Sequence, residues 1–152
     1  MKRRLMSLAL ASSAIAFPLH AQTPVAATKP ASEQWTYATK RLDRDAVDTL
    51  LSRPGEVLVV DVRRPDELVI KGSFPIYLNV QIKDLEKSLG SIPRERWILT
   101  VSNHAHRAGA AGDVLAAKGF KVAGATGSED YEAQGGKAIV RVVAPPKPLA
   151  AK

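Results

Sequence analysis

The sequence of 152 residues contains no cysteine. Without cysteine the chain can form no disulfide bond and can offer no thiolate nucleophile. Its fold must therefore be stabilised by a hydrophobic core alone. A chain of this length is long enough to build one domain with such a core and too short for more.

The N-terminal apolar run, residues 5–17, is too short to span a bilayer. It follows basic residues at positions 2–4 and is followed closely by Ala21, which together are typical of a secretory signal peptide. We interpret residues 1–21 as a signal peptide cleaved after Ala21, although Leu19 is larger than the residue preferred there. An uncleaved N-terminal anchor is the alternative. We expect a periplasmic or secreted protein that does not associate with the membrane after cleavage.

The chain also lacks a basic stretch suited to nucleic acid. Removing the three basic residues of the leader from the 22 Lys and Arg leaves 19 against 15 acidic residues, a net charge of +4. The remaining basic residues are scattered among acidic ones, and no run of them is interleaved with aromatic residues. We therefore expect no nucleic-acid partner.

The composition divides the rest of the chain into three parts. Residues 22–34 are rich in Ala, Pro and Thr, which indicates a flexible linker. Residues 144–152 contain three prolines, which can continue neither a helix nor a strand ladder, so we expect a disordered tail. Between them, residues 35–143 are predicted to form one domain without internal repeats.

Strand and helix patterns alternate along this domain. The predicted strands are a short edge strand at 35–38 and further strands at 57–60, 77–80, 97–101 and 120–123. The predicted helices are 44–51, 65–71, 84–89 and 107–118, followed by a helical turn at 129–134. This alternation predicts an α/β fold, a small parallel sheet flanked by helices on both faces.

A loop between the strand at 97–101 and the next helix is the main candidate site. Where a buried strand leads into a helix, the backbone N–H groups and the helix dipole favour an anion. Ligands of parallel sheets bind beyond the carboxyl ends of the strands. The candidate ligand-binding residues are Ser102, Asn103, His104, Ala105, His106 and Arg107 in this loop, with Asp61 and Arg63 at the end of the strand at 57–60.

Four groups of residues carry a family resemblance. They are Asp61-Val62-Arg63 with Glu67; Gly72-Ser73-Phe74-Pro75 with Asn79 and Val80; Ser102 with Arg107, Ala108, Ala111, Leu115, Gly119 and Phe120; and Thr126-Gly127 with Tyr131 and Gly135. In their order and spacing the chain resembles the rhodanese family of sulfurtransferases over residues 42–139. The resemblance implies a rhodanese-like fold. It places Ser102 at the position of the cysteine that carries a persulfide in that family, and Ala105 where a glycine is usual.

The serine decides our expectation about activity. A serine hydroxyl cannot form a persulfide and is a poor nucleophile unless a base removes its proton. We expect no sulfurtransferase activity and no cofactor, and instead the binding of a small oxyanion or of a protein partner. Two alternatives stay open: a hydrolase that uses Ser102 with a loop histidine and Asp61, and a purely structural partner of an exported enzyme complex in which the loop has no role.

Three candidate residues have structural interpretations as well. His104 and His106 are expected to be exposed loop side chains, and because the sequence offers no clear third ligand we expect no metal site. For Asp61 we favour a structural carboxylate that accepts hydrogen bonds from the backbone or from an arginine, since buried carboxylates are usually paired.

Overall fold

The computed structural model describes residues 34–141. The predicted signal peptide, nearly all of the predicted linker and the predicted tail lie outside these residues. Four parallel strands form the sheet: β1 (Val57–Asp61), β2 (Leu78–Asn79), β3 (Trp97–Ser102) and β4 (Lys121–Gly127). Their order across the sheet is β2-β1-β3-β4. The α/β class and the parallel sheet are confirmed.

Strands β1 and β3 form the centre of the sheet because they are apolar on both faces. They pair in register from Val57 opposite Trp97 to Asp61 opposite Val101. Successive side chains on a strand point to opposite faces, so each strand contributes to two cores. Val60 and Ile98 belong to one hydrophobic cluster. Val57, Val59, Leu99 and Val101 belong to the cluster on the other side.

The helices cover both faces. They are α1 (Arg44–Leu51), α2 (Pro65–Lys71), α3 (His106–Ala117) and α4 (Ser128–Ala133). The side chain of Asp43 caps α1 by accepting a hydrogen bond from the N–H of Ala46 at 2.9 Å. Helix α3 is followed by Gly119, whose φ of 81° is readily adopted only by glycine. All four helices lie where the sequence patterns predicted helical structure, to within one residue at each end.

Two predicted elements are wrong. Residues 35–38 form no strand, because the N–H groups of Ala38 and Thr39 donate to the carboxylate of Asp113, and sheet pairing begins only at Arg41 opposite Ala125. The helix predicted at 84–89 is replaced by two 3₁₀ segments, Ile82–Asp84 and Glu86–Ser91. So short a stretch before Gly90 forms too few i→i+4 bonds to offset the cost of nucleating an α-helix.

The topology determines where a site can form. From β1 the chain crosses over α2 to β2 on one side, whereas β3 lies on the other side of β1. A change of direction of this kind leaves a crevice at the carboxyl ends of the two central strands. Asp61 and Ser102 are the last residues of these strands. Within residues 34–141, no helix is both long enough and apolar enough to cross a membrane.

Candidate functional site

The hydroxyl of Ser102 is enclosed in the loop between β3 and α3. Ser102 is fully buried. Its Oγ accepts a hydrogen bond from the N–H of Ala108 at 3.1 Å and donates to the carbonyl oxygen of His104 at 3.4 Å. The serine therefore ties the start of α3 to the end of β3, and its hydrogen-bonding groups point to the backbone rather than to solvent.

Not all N–H groups of the loop backbone are paired within residues 34–141. The N–H of Ala105 donates to the carboxylate of Asp130 at 3.3 Å, whereas those of His104 and Arg107 find no acceptor within residues 34–141. Ala105 itself has φ −13° and is fully buried. Since this φ is not in the left-handed region, the backbone does not require the glycine that is usual at this position of the family.

Asp61 and Arg63 form a buried ion pair beneath the loop. Both side chains are fully buried, and Nη2 of Arg63 lies 2.7 Å from Oδ2 of Asp61. The same guanidinium donates to the Asn103 side chain at 3.1 Å, to the Ser128 hydroxyl at 3.0 Å and to the carbonyl of Gly72 at 2.9 Å. The structural interpretation of Asp61, a carboxylate that binds an arginine, is confirmed. Arg63 joins four segments of the chain that all meet at this edge of the sheet.

Glu67 of α2 occupies one side of the Arg107 guanidinium. Nη1 and Nη2 of Arg107 donate to the two carboxylate oxygens of Glu67 at 3.0 and 2.7 Å. The Asn103 side chain donates to the same carboxylate at 2.7 Å, and the N–H of Arg64 donates at 3.0 Å. Hydrogen bonds from Arg107 lower the pKa of the Glu67 carboxyl from 4.5 to about 2. The carboxylate also raises the pKa of Arg107 above its ordinary value.

His104 holds the loop against α4. Its Nδ1 lies 3.0 Å from Oδ1 of Asp130, and its Nε2 lies 3.2 Å from Oε2 of Glu129. Burial raises the pKa of Asp130, but the hydrogen bond from His104 and the charge of Arg41 outweigh it, so that pKa lies below its ordinary value. The Glu129 carboxylate also binds Lys71 of α2. Two acidic residues of α4 are therefore part of the rim of the loop.

The side chain of His106 packs among aromatic rings rather than over Ser102. Its ring centroid lies 5.5 Å from that of Trp35 and 5.8 Å from that of Tyr37. Since both ring nitrogens of His104 face acidic groups and Asp61 binds Arg63, the structure does not assemble Ser102, a loop histidine and Asp61 into a triad. Within residues 34–141, no group of three or more His, Asp or Glu side chains is placed to hold a metal ion.

The structure thus brings all the predicted site residues to one edge of the sheet, with Asp61 and Arg63 below the loop. Sequence reasoning missed the contributions of α4 and of the segment before α1. In the sequence Glu67 is part of the family resemblance, but its salt bridge with Arg107 could not be identified from local patterns. The only available signal for α4 was a pair of acidic residues, Glu129 and Asp130, directly after a strand.

The sequence matches no protein-family model and no curated protein. Solved structures do match. A rhodanese-related protein from Thermoplasma volcanium is 24% identical, covers 64% of this chain and 95% of its own, and gives a TM-score of 0.56. A rhodanese-like domain protein from Staphylococcus aureus is 20% identical, with coverages of 68% and 99% and a TM-score of 0.57.

A single-domain sulfurtransferase from Saccharomyces cerevisiae is also similar. It is 21% identical, with coverages of 67% and 95% and a TM-score of 0.53. Identities at this level establish the fold and do not establish an activity. The parallel sheet, the loop between β3 and α3 and these neighbours agree with the resemblance seen in the residues. The chain has the rhodanese-like fold, with a serine at the end of the strand that leads into its loop.

Proposed function

We propose that this protein is an exported, non-catalytic rhodanese-like domain whose loop at residues 102–107 binds a small oxyanion such as sulfate or phosphate. The observation that carries the proposal is the engagement of the Ser102 hydroxyl. It accepts from the N–H of Ala108 and donates to the carbonyl of His104. A hydroxyl bound on both sides is poorly available as a nucleophile, and an oxygen at this position cannot hold a persulfide sulfur.

Arg107 supplies the cationic group for the anion. A guanidinium has five N–H donors, and Glu67 accepts two of those of Arg107. The other three have no acceptor within residues 34–141, and the side chain is 39% exposed. An oxyanion placed above the loop can therefore bind Arg107 without displacing Glu67.

The backbone of the loop supplies further donors. The N–H groups of His104 and Arg107 are unpaired within the described part of the chain, and Arg107 lies in the first turn of α3, a helix of 12 residues. Backbone donors and the helix dipole together favour an anion at this end. The predicted contacts are thus two backbone N–H groups and the outer edge of one guanidinium.

The alternatives receive less support from the geometry. A hydrolase needs a base in contact with Ser102, whereas the ring nitrogens of His104 lie 3.0 and 3.2 Å from Asp130 and Glu129. A structural role in an exported complex needs no loop ligand. It predicts that a partner is captured equally well by the wild type and by a variant of Arg107.

Thermal unfolding with and without sulfate tests the proposed site. Sulfate stabilises most proteins weakly because it is excluded from their surface, so the measured quantity is the extra stabilisation above a matched control. Arg107→Ala should lose this extra stabilisation, whereas Arg53→Ala should keep it. Arg53 is a suitable control because it is also an exposed arginine paired with one glutamate, Glu56, at 3.3 Å. Equal sulfate effects in wild type and Arg107→Ala would refute the anion site.

A second experiment tests the absence of sulfur transfer. Wild-type protein should form no thiocyanate from thiosulfate and cyanide above the rate without protein. Ser102→Cys should gain weak transfer if the loop can still place a sulfur atom at this position. Thiocyanate formation by the wild type would overturn the non-catalytic assignment.

A further inference from the structure

A second cavity-forming region lies at the other end of α3, between the last turns of this helix, the start of β4 and residues 38–40. We name it the α3–β4 cavity. Its volume is about 580 Å³, within the range of about 300–1,000 Å³ that is typical of small-molecule sites. Most of its wall is apolar and built from small side chains: Ala38, Ala116, Ala117, Val122 and Ala123. Because alanine side chains occupy little space, the wall leaves room for an apolar molecule.

The α3–β4 cavity is separate from the loop that is proposed to bind an oxyanion. Arg107 lies in the first turn of α3, whereas Ala116 and Ala117 form its end. Ala116 comes nine positions after Arg107, which is roughly 13.5 Å along a helix that rises about 1.5 Å per residue. None of residues 102–107 lines the cavity. A ligand bound here therefore does not depend on the proposed function of the loop.

The chain segment before α1 that closes the cavity is held on two sides. The carboxylate of Asp113 in α3 accepts hydrogen bonds from the N–H of Ala38 at 3.1 Å and from the N–H of Thr39 at 2.7 Å. The N–H of Ala125 in β4 donates to the carbonyl oxygen of Lys40 at 2.9 Å. The segment is thus tied both to the helix and to the sheet. A cavity whose walls are already fixed loses little conformational entropy when a ligand binds.

The polar side chains of the wall leave one charged group available to a ligand. The hydroxyl of Thr39 donates to the carboxylate of Asp113 at 2.7 Å, in addition to the two backbone donors. Thr39 and Asp113 therefore satisfy each other. Lys40 also lines the cavity and is exposed, and no acidic side chain within residues 34–141 pairs with its ammonium group.

These charges favour a ligand that carries a single negative charge. The ammonium group of Lys40 is a point charge on a flexible stem, so it can meet an anionic group at the mouth of the cavity. Burial raises the pKa of Asp113, but the hydrogen bonds from Thr39 and Ala38 outweigh it, so that pKa lies below its ordinary value. The ionised Asp113 repels a second negative charge on the ligand, which disfavours sulfate and phosphate.

We propose that the α3–β4 cavity binds an amphipathic monocarboxylate, a molecule with an apolar body and one carboxylate group. The apolar body lies against Ala116, Ala117 and Val122, and the carboxylate pairs with Lys40. A medium-chain fatty acid is the simplest member of this class of ligand.

Amide spectra of the ¹⁵N-labelled protein during a titration with octanoate test the proposal. Octanoate should shift the signals of Ala116, Ala117 and Ala123 in a saturable manner, and butyrate should bind more weakly because its shorter chain buries less apolar surface. Octan-1-ol has the same chain length without the charge. It should bind roughly 2- to 5-fold more weakly than octanoate, the effect expected of a partly exposed ion pair. Sulfate should leave these three signals unchanged.

Two lysine variants test the assigned charge. Lys40→Gln should lower the affinity for octanoate by roughly 2- to 5-fold and leave the affinity for octan-1-ol unchanged. Lys87→Gln is the matched control and should change neither affinity. Lys87 is also exposed, has no acidic partner in the part of the chain that the structure describes, and lies outside the cavity.

Three results would overturn the proposal. If octanoate gives no saturable shift at Ala116, Ala117 and Ala123, the cavity is not a binding site. If its shifts are confined to residues 104–107, the carboxylate binds to the loop instead. Equal affinities of the wild type and Lys40→Gln for octanoate would show that Lys40 does not pair with the carboxylate.

Discussion

At the scale of single residues, the buried pair of Asp61 and Arg63 organises the site. Removing two charges from water is costly, and the cost is offset only when nearly every donor and acceptor finds a partner. Arg63 satisfies this condition through Asp61, Asn103, Ser128 and Gly72. Its role is therefore to fix the loop in place, and the exposed donors for a ligand belong to Arg107.

Replacing Arg63 should be among the most damaging single changes in the domain. In Arg63→Met the carboxylate of Asp61 stays buried without its partner, so we expect a loss of about 3–5 kcal/mol in the free energy of unfolding. Urea denaturation measures the loss, and Arg53→Met, which removes an exposed arginine, is the control. Adding Asp61→Asn to Arg63→Met should recover part of the stability. A loss no larger than that of the control would contradict the assigned role.

Glu67 gives the stability of the domain a pH dependence. Its pKa is lowered from 4.5 to about 2 in the folded protein. The free energy that the ionised Glu67 carboxylate contributes to folding is therefore fully present above pH 4.5 and is lost as the pH falls towards 2. Because its partner Arg107 is partly exposed, we expect Glu67→Gln to lower the free energy of unfolding at pH 7 by about 1–3 kcal/mol, and the difference from wild type to shrink at pH 3.

The matched control for this prediction is Glu56→Gln. The Glu56 carboxylate is exposed and lies 3.3 Å from Arg53, so its loss should change stability little. Denaturant titrations of the three proteins at pH 7, pH 5 and pH 3 provide the comparison. A difference between wild type and Glu67→Gln that stays constant over this range would show that the Glu67 carboxylate is not stabilised by Arg107.

At the scale of elements, α3 connects the loop to the segment that precedes α1. Two glycines on one face of the helix allow that segment to approach closely: a Cβ on Gly109 would lie 2.5 Å from Tyr37, and one on Gly112 would lie 2.5 Å from Thr39. Thr39 is also bound to Asp113 of α3 through its N–H and its hydroxyl, both at 2.7 Å. These contacts explain why residues 35–38 lie along a helix instead of forming an edge strand.

Gly109→Ala should displace this segment. Alanine favours a helix by about 1 kcal/mol over glycine. The clash with the Tyr37 and Trp35 rings should outweigh this gain and lower the free energy of unfolding by about 1–2 kcal/mol. In a Trp97→Phe background, Trp35 is the only tryptophan, and its fluorescence should shift to longer wavelength. The control is Gly90→Ala, where the added Cβ meets nothing within 4 Å. It should leave the free energy of unfolding and the wavelength of the Trp35 fluorescence unchanged. An unshifted spectrum in Gly109→Ala would refute the close packing.

At the scale of the whole molecule, two hydrophobic clusters on opposite faces of one sheet stabilise the fold without disulfide bonds. A domain of this kind needs no oxidising compartment in order to fold. Export is therefore predicted from the N-terminal sequence alone. The packing of the domain neither requires it nor opposes it.

Export predicts a defined N-terminus. When the full sequence is produced in a Gram-negative host, the mature protein recovered from the periplasm should begin at Gln22, as measured by intact mass. Ala21→Arg should block cleavage and leave the leader attached. Recovery of the wild type with Met1 in the membrane fraction would instead establish the alternative of an uncleaved anchor.

The sequence by itself determined the order of the main elements, the parallel sheet and the position of the loop. These follow from local patterns: the apolar runs of β1 and β3, the capping residue Asp43 and the stop at Gly119. The ion pairs of the site could not be predicted from local sequence patterns. Glu67 meets Arg107 forty positions away, and His104 meets Asp130 of α4.

Only the tertiary structure decided which charges meet and which apolar residues stay exposed. The strand order brings α2, the loop and α4 to one edge of the sheet, and side-chain pairing there depends on distances between segments far apart in sequence. Val69, Ile70 and Tyr77 resemble core residues in composition, yet the packing leaves them open. Local preferences act over a few residues, whereas burial and ion pairing depend on the assembled fold.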